Sequence, residues 1–67
     1  MNYTVRIKND VEERSSDKEE LKIKDVLEEL DMSSETIVPK KNGEIVIDEA
    51  VVEDGDEIEF VQIIYGG

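Results

Sequence analysis

The feature that most constrains the fold is one stretch of helical periodicity enclosed between segments of strand character. Four apolar residues share one stripe of an α-helix, with spacing i, i+3, i+4 and i+7: Ile23, Val26, Leu27 and Leu30. The helix should end near Asp31 or Met32, and its start lacks a good capping side chain because Lys22 precedes it. A helix of about nine residues is marginal in water, so its apolar stripe must pack on another element.

Strand patterns on both sides of the helix supply such an element. Tyr3, Val5 and Ile7 alternate with polar residues, which is the period of a strand with one buried face. Ile58 and Phe60 alternate with glutamates in the same way near the end of the chain. These five residues should face the core.

A hairpin is predicted after the helix, with residues 36–39 and 44–47 as its β-branched strands. Its Asn42-Gly43 turn is a strong hairpin signal because both residues tolerate positive φ. Pro39 cannot donate a ladder hydrogen bond, so the first of these strands should be short or lie at a sheet edge.

Two segments have a less regular pattern. The charged residues 11–20 predict a loop or a short, poorly buried edge hairpin. Residues 48–53 are interpreted as a connector in which one or two of Ala50, Val51 and Val52 point inward.

Composition limits the chemistry that this chain can perform. Its 67 residues suit one domain, predicted to span residues 1–67 with a flexible Gly-Gly tail at residues 65–67. The absence of cysteine and histidine removes disulfides, thiolate nucleophiles, common zinc ligation and imidazole acid/base catalysis. No apolar run approaches the roughly 20 residues of a membrane span, and no signal peptide is recognisable. We therefore expect a cytoplasmic protein.

The charge balance bears on partners. Eight Lys and Arg against 19 Asp and Glu give a net charge of −11, which should repel nucleic-acid phosphates and anionic lipid. Such charge steers a protein toward basic surfaces, so a basic protein partner is one interpretation and solubility alone is the other. The adjacent cations Lys40 and Lys41 are interpreted as part of a solvated turn rather than as a binding site.

The end of the chain departs from the strand pattern. After Phe60 the alternation breaks, because Val61, Ile63, Ile64 and Tyr65 are all apolar. If Phe60 points inward, Val61, Ile63 and Tyr65 lie on the opposite face. They would form apolar surface that a small core is unable to cover.

Two glycines follow this apolar stretch. Gly66 and Gly67 have no Cβ, so their backbone can enter a channel too narrow for a side chain. The five residues from Ile63 to Gly67 reach at most about 17 Å. A frayed chain end is one interpretation. The other is a Gly67 carboxylate presented to a partner's active site.

Together these segments resemble a known family. Asn42–Val46, Asp54–Phe60 and the final Gly66-Gly67 are similar to the ThiS/MoaD family of small sulfur carriers, a branch of the ubiquitin-like proteins. Asp25–Leu30 also resembles the Asp-Leu-Leu-Glu-Glu-Leu pattern common there, although Lys22 stands where a helix-capping threonine or serine is usual. The resemblance implies a β-grasp fold, an α+β domain in which a mixed sheet of four to five strands packs on one helix.

The resemblance also implies a carrier rather than an enzyme. A ubiquitin-activating-type enzyme would use ATP to adenylate Gly67, and sulfur transfer would then make a thiocarboxylate, with Gly66 as the steric gate. Four apolar residues would bind the partner: Val61, Ile63, Ile64 and Tyr65. ATP and any metal would belong to the partner, while the chain would bind no cofactor and be a monomer when free. A sulfur-accepting synthase of thiamine or molybdopterin biosynthesis, or tRNA thiolation, would receive the sulfur.

Other functions stay open at this point. In a protein modifier, the activated Gly67 would form an isopeptide bond with target lysines. In a non-covalent adaptor, the sheet would bind partners while the tail stayed inert. An independent enzyme is the least favoured, because generic carboxylates and lysines would have to supply both nucleophile and base.

Overall fold

The computed structural model describes residues 1–63, so Ile64, Tyr65, Gly66 and Gly67 lie outside the described residues. Within that range the elements are, in order, β1 (Asn2–Ile7), β2 (Asp10–Ser15), β3 (Leu21–Lys22), α1 (Ile23–Glu29), β4 (Ile37–Lys41), β5 (Glu44–Ile45), β6 (Val51–Val52) and β7 (Glu57–Gln62). In this part of the chain, α1 is too short and too polar to cross a membrane.

Five of the strands form one mixed sheet in the order β2, β1, β7, β4, β5. β1 pairs antiparallel with β2 and parallel with β7, and β7 pairs antiparallel with β4. A parallel pair needs a long crossover connection, and the segment between β1 and β7 that contains α1 provides it. The expected β-grasp arrangement, an α+β fold with a mixed sheet and one helix, is confirmed.

The core lies between α1 and one face of this sheet. Among residues 1–63 the buried apolar side chains are Tyr3, Val5, Leu21, Ile23, Val26, Leu27, Ile37, Val52, Ile58 and Phe60. Burying each such aliphatic or aromatic side chain stabilises the fold by about 1.5–3 kcal/mol relative to leaving it exposed. Both predicted strand faces are confirmed, although Ile7 is only half-buried.

α1 is shorter than its periodicity predicted. It ends at Glu29, and the half-buried Leu30 is its C-cap, with an N–H that donates to the Val26 carbonyl at 3.0 Å. Asp31 follows with a φ of 57°, a left-handed conformation that ends a helix. The expected end near Asp31 or Met32 was therefore slightly late.

Residues 48–53 cap the start of α1. The Lys22 side chain carries only donors and cannot cap, but the Asp25 carboxylate accepts the Lys22 N–H at 3.0 Å. The N–H groups of the first two helical residues donate to the carbonyls of Ala50 and Asp48, at 3.0 and 2.8 Å. Backbone donors that a helix start usually leaves unpaired are thereby satisfied.

The same connector also forms a second, two-stranded sheet. β3 and β6 pair antiparallel, with Leu21 opposite Val52 and both side chains buried. Val52 and the half-buried Ala50 confirm the expected inward anchors. The pairing itself was not predicted, since two-residue strands carry no alternation.

β4 has five residues and lies between β7 and β5, so of the two alternatives for the Pro39 strand, short or at a sheet edge, the edge position was wrong. The β4–β7 ladder is hydrogen-bonded at Thr36, whose carbonyl accepts the Ile63 N–H at 2.8 Å. Such bonds recur at alternate residues, so the Pro39 nitrogen points away from β7 and costs that ladder nothing. On the other side, the Pro39 carbonyl accepts the Val46 N–H at 3.1 Å.

The charged segment near the start of the chain forms an edge strand. β2 covers Asp10–Ser15 and is mostly exposed, which confirms the edge-hairpin alternative for residues 11–15, whereas residues 16–20 form no strand or helix. Its exposed acidic side chains also protect an open sheet edge against pairing with other chains.

Candidate functional site

The candidate site is the end of β7, which leads into the four residues beyond the described range. Ile58 and Phe60 are buried in the core, whereas Val61 and Ile63 are 37% and 38% exposed. Both exposed residues therefore lie on the outward face, where the sequence alternation placed them.

β7 continues beyond the end of β1. Ile7 and Phe60 are the last pair of the parallel ladder, and Lys8, with a φ of 56°, lies in the turn that leads from β1 into β2. On the other side, β4 follows β7 as far as Ile63, whose N–H donates to Thr36. Among residues 1–63, the end of β7 therefore pairs with the β4 side alone.

The outward face of the sheet carries side chains in rows, because residues opposite each other in register share a face. One row crosses all five strands: Val11, Arg6, Glu59, Lys40 and Ile45. The next row toward the end of β7 contains Val38 and Val61. The row on the other side contains Glu13, Thr4 and Glu57. The apolar pair at the end of β7 therefore adjoins a row that contains two cations.

A shallow pocket of about 170 Å³ lies beside this end, lined by Lys8, Glu59, Phe60, Val61 and Gln62. Cofactor and drug-sized ligand sites usually occupy about 300–1,000 Å³, so this concavity suits a single partner side chain better than a nucleotide. Within residues 1–63, no three acidic side chains converge closely enough to hold a metal ion. That the chain binds no cofactor of its own stays a prediction.

The start of β7 is held by a buried carboxylate. Asp56 is 8% exposed and accepts hydrogen bonds from the Glu53 N–H at 2.7 Å and the Asn42 side-chain amide at 3.0 Å. The Lys41 Nζ lies 3.4 Å from the same carboxylate. The Asn42 Oδ1 accepts the Glu57 N–H at 2.9 Å. These contacts join the turn of the β4–β5 hairpin to the turn that precedes β7.

The contacts also set the charge of Asp56. Burial by itself raises the pKa of the Asp56 carboxyl, because desolvation disfavours the charged form. The hydrogen bonds from Glu53 and Asn42 and the Lys41 charge outweigh burial, so the pKa of Asp56 lies below its ordinary value. Lys41 is half-buried and also donates to the Val51 carbonyl at 2.9 Å. Its interpretation as part of a solvated turn was therefore wrong.

Two of the sequence-predicted site residues fall within the described structure, namely Val61 and Ile63. The others lie outside the described residues: Ile64, Tyr65, Gly66 and Gly67. The docking, gating and modification roles assigned to all of them stay predictions.

Sequence reasoning missed the cross-strand neighbours of the site. Lys40 lies opposite Glu59 in β7 and Ile45 in β5, and Arg6 lies opposite Glu59 on the other side. The Asn-Gly turn was a signal for the register between Lys40 and Ile45. No short-range signal gives the register of the parallel β1–β7 pair, so the sequence alone could not place Arg6 beside Glu59.

A comparison with protein families bears directly on this site. A family model described as the ThiS family matches residues 2–67. The match begins with β1, includes all of β7 and extends through the four residues that follow it. Proteins of this family are small sulfur carriers rather than enzymes, and they work with an adenylating enzyme and a sulfur-accepting synthase in small-molecule biosynthesis. The chain belongs to the ThiS family of small sulfur carriers.

Proposed function

We propose that the functional protein ends at Gly67 and carries sulfur there as a thiocarboxylate. The observation that carries the proposal is the ThiS family match, which extends through residue 67. The last described ladder bond joins Ile63 to Thr36, so Gly67 follows it by four residues, which span at most about 14 Å. That distance suits delivery of a carboxylate into the active site of a bound partner.

The chemistry requires activation by the partner. A Gly67 carboxylate oxygen attacks the α-phosphorus of ATP held by the adenylating enzyme, which forms an acyl-adenylate and releases pyrophosphate. A hydrosulfide equivalent supplied by the partner system then attacks the carbonyl carbon, forms the C–S bond of the thiocarboxylate and expels AMP. The covalent intermediate divides one difficult substitution into two easier ones. The thiocarboxylate finally passes its sulfur to a synthase of thiamine or molybdopterin biosynthesis, or to a tRNA-thiolating enzyme.

The described end of β7 supports a docking role in this cycle. Val61 and Ile63 present apolar surface immediately before the tail, and we assign them to the partner interface together with Ile64 and Tyr65. Gly66 acts as a steric gate, because a residue without Cβ passes through a channel that excludes side chains.

Mass spectrometry tests the proposal. The protein, purified with its native C-terminus, is incubated with ATP, the adenylating enzyme of the same genome and a sulfur donor. We expect pyrophosphate release and a mass gain of about 16 Da, the replacement of one oxygen by sulfur. Branched peptides joined through Gly67 would instead identify a protein modifier. An intact mass without pyrophosphate release would favour a non-covalent adaptor.

The variant Gly66→Ala tests the gate separately from the fold. We expect slower pyrophosphate exchange with an unchanged unfolding midpoint, because the added methyl group would obstruct the partner's channel. Ser15→Ala, an exposed substitution in edge strand β2, is the matched control and should change neither quantity. Normal exchange by Gly66→Ala would remove the gate from the mechanism.

A further inference from the structure

The charge on the outward face of the sheet changes sign along β7. Near the start of the strand, Glu57 shares its row with Glu13. One row further on, Glu59 lies between Arg6 and Lys40. A chain with a net charge of −11 thus gathers cations toward the end of β7.

These cations surround the apolar end of the strand. The β7-end face comprises Arg6, Lys8, Val38, Lys40, Val61 and Ile63. Val38 is half-buried and lies directly opposite Val61, and Lys8 lines the same shallow pocket as Val61. Protein interfaces usually have an apolar centre and a polar rim, and here the polar rim is cationic.

The three cations of the β7-end face form no ion pair with another residue of the described range 1–63. The ion pairs within 4 Å among residues 1–63 use other cations: Arg14, Lys22, Lys24 and Lys41. Arg6, Lys8 and Lys40 take part in none of those pairs, although Glu59 lies between two of them in register. Arg6 and Lys8 are also exposed.

We propose that the adenylating enzyme receives the β7-end face on an apolar patch rimmed by carboxylates, which pair with Arg6, Lys8 and Lys40. The inference rests on the proposed function, which requires such an enzyme, and adds the chemistry of its docking surface. It differs from the basic partner that the net charge alone suggests.

Screening explains why local charge outweighs net charge at this interface. At physiological ionic strength the Debye length is about 8 Å, so exposed charges farther away contribute little to a docked complex. A basic partner surface would place cations against the cations of the β7-end face, and like charges in contact are costly. A carboxylate rim forms favourable pairs at the same positions.

Two double charge reversals test the inference. Arg6→Glu with Lys40→Glu alters the β7-end face, and Lys18→Glu with Lys24→Glu alters exposed cations elsewhere. Each reversal lowers the net charge by two, so both double variants change it equally, from −11 to −15. Affinity for the adenylating enzyme is measured by titration without ATP, and thermal unfolding confirms that each variant is folded. The single variant Lys8→Glu provides the same test if the first double variant fails to fold.

We expect the β7-end reversal to weaken binding by at least about tenfold, while the control stays within about twofold of the wild type. Equal changes in the two variants would overturn the inference, and tighter binding of both would identify a basic partner surface. If wild-type protein supports ATP–pyrophosphate exchange but the β7-end reversal leaves affinity unchanged, only this inference fails. If wild-type protein neither binds nor supports exchange, the proposed function fails with it.

A second copy of the chain is the competing occupant of this face. Sedimentation velocity on the concentrated wild-type protein should show a monomer. A dimer that dissociates in the Arg6→Glu, Lys40→Glu variant would overturn the inference, because the face would then be a self-association surface.

Discussion

The two ends of β7 differ in what holds them and in what they expose. At the start, the buried Asp56 carboxylate has hydrogen-bond partners on two turns. At the end, Val61 and Ile63 expose apolar surface and the strand pairs with β4 alone in the described residues. One strand therefore has an anchored base and an exposed apolar end, to which we assign the docking role. Substitutions at the start should change the free energy of unfolding, whereas substitutions at the end should change partner affinity.

The largest effect on stability is expected from Asp56→Ala. The variant removes the acceptor for the Glu53 N–H and the Asn42 amide and leaves Lys41 without its closest carboxylate. Hydrogen bonds to charged groups contribute about 1.5–3 kcal/mol each, so we expect the loss of two of them to lower the free energy of unfolding by about 3–6 kcal/mol. Urea denaturation measures it, with the exposed Asp17→Ala as control. A loss no larger than that of the control would mean that the start of β7 is not anchored by Asp56.

Substitutions at the exposed end of β7 should lower partner affinity more than they lower the free energy of unfolding. Val61→Ser with Ile63→Ser should lower affinity for the adenylating enzyme about tenfold, which is about 1.4 kcal/mol. Each substitution should cost no more than about 1 kcal/mol of stability, because these positions contribute mainly strand propensity. Val11→Ser is the matched control, since Val11 is 55% exposed on the same face but at the far edge of the sheet. Equal affinity losses for the end variant and the control would contradict a docking role for this end.

The free energy of unfolding, measured against pH in wild type and in Asp56→Asn, should separate the contribution of the Asp56 carboxylate from that of the other carboxylates. Because the pKa of Asp56 is lower in the folded state than its ordinary value, its charge stabilises the fold above the unfolded pKa. That contribution should disappear as pH falls below about 4, through the folded-state pKa. The difference in unfolding free energy between wild type and Asp56→Asn should be constant from neutral pH to about pH 5 and shrink below it. A difference that grows on acidification would mean that the sign of the shift is wrong.

The smallest effect is expected from Tyr3→Phe, beside the start of β7. The Tyr3 hydroxyl is buried and makes no well-formed hydrogen bond among residues 1–63, in contrast to the Asp56 carboxylate, although it lies beside the Arg14 guanidinium and raises the pKa of Arg14. Removing it should leave the free energy of unfolding unchanged or raise it by up to about 1 kcal/mol. Denaturation of wild type and variant in parallel measures the change. A loss above about 1 kcal/mol would show that the hydroxyl contributes a contact after all.

The fold could be predicted from local patterns where a segment spans several residues. The alternation at Tyr3 and Val5 and at Ile58 and Phe60 identified the central strands, and the stripe of α1 identified the helix. The two-residue strands β3 and β6 could not be predicted, because they are held by the pairing of Leu21 with Val52, which no local period records. Pro39 does not confine β4 to a sheet edge, because its nitrogen points away from β7 and the β4–β7 ladder loses no hydrogen bond.

The site was predictable only in part for a related reason. Val61 and Ile63 follow from the alternation of their own strand. Arg6 becomes their neighbour through a parallel register between residues more than fifty positions apart, and Asp56 becomes buried through its bonds to the Asn42 turn. Contacts between distant segments determine both features, so charge composition alone left a basic partner and solubility as alternatives, whereas the local charges favour an acidic partner surface.

The overhang of β7 beyond β1 has a consequence for how the tail is directed. Within residues 1–63, Thr36 makes the last backbone hydrogen bond between the β4 side and β7, so the direction in which the chain leaves the sheet depends on the orientation of β4. In the proposed sulfur-carrier cycle, substitutions at Thr36 and Val38 would therefore misdirect the Gly67 carboxylate without altering any residue of the tail. Accuracy of delivery would then be a property of the neighbouring strand.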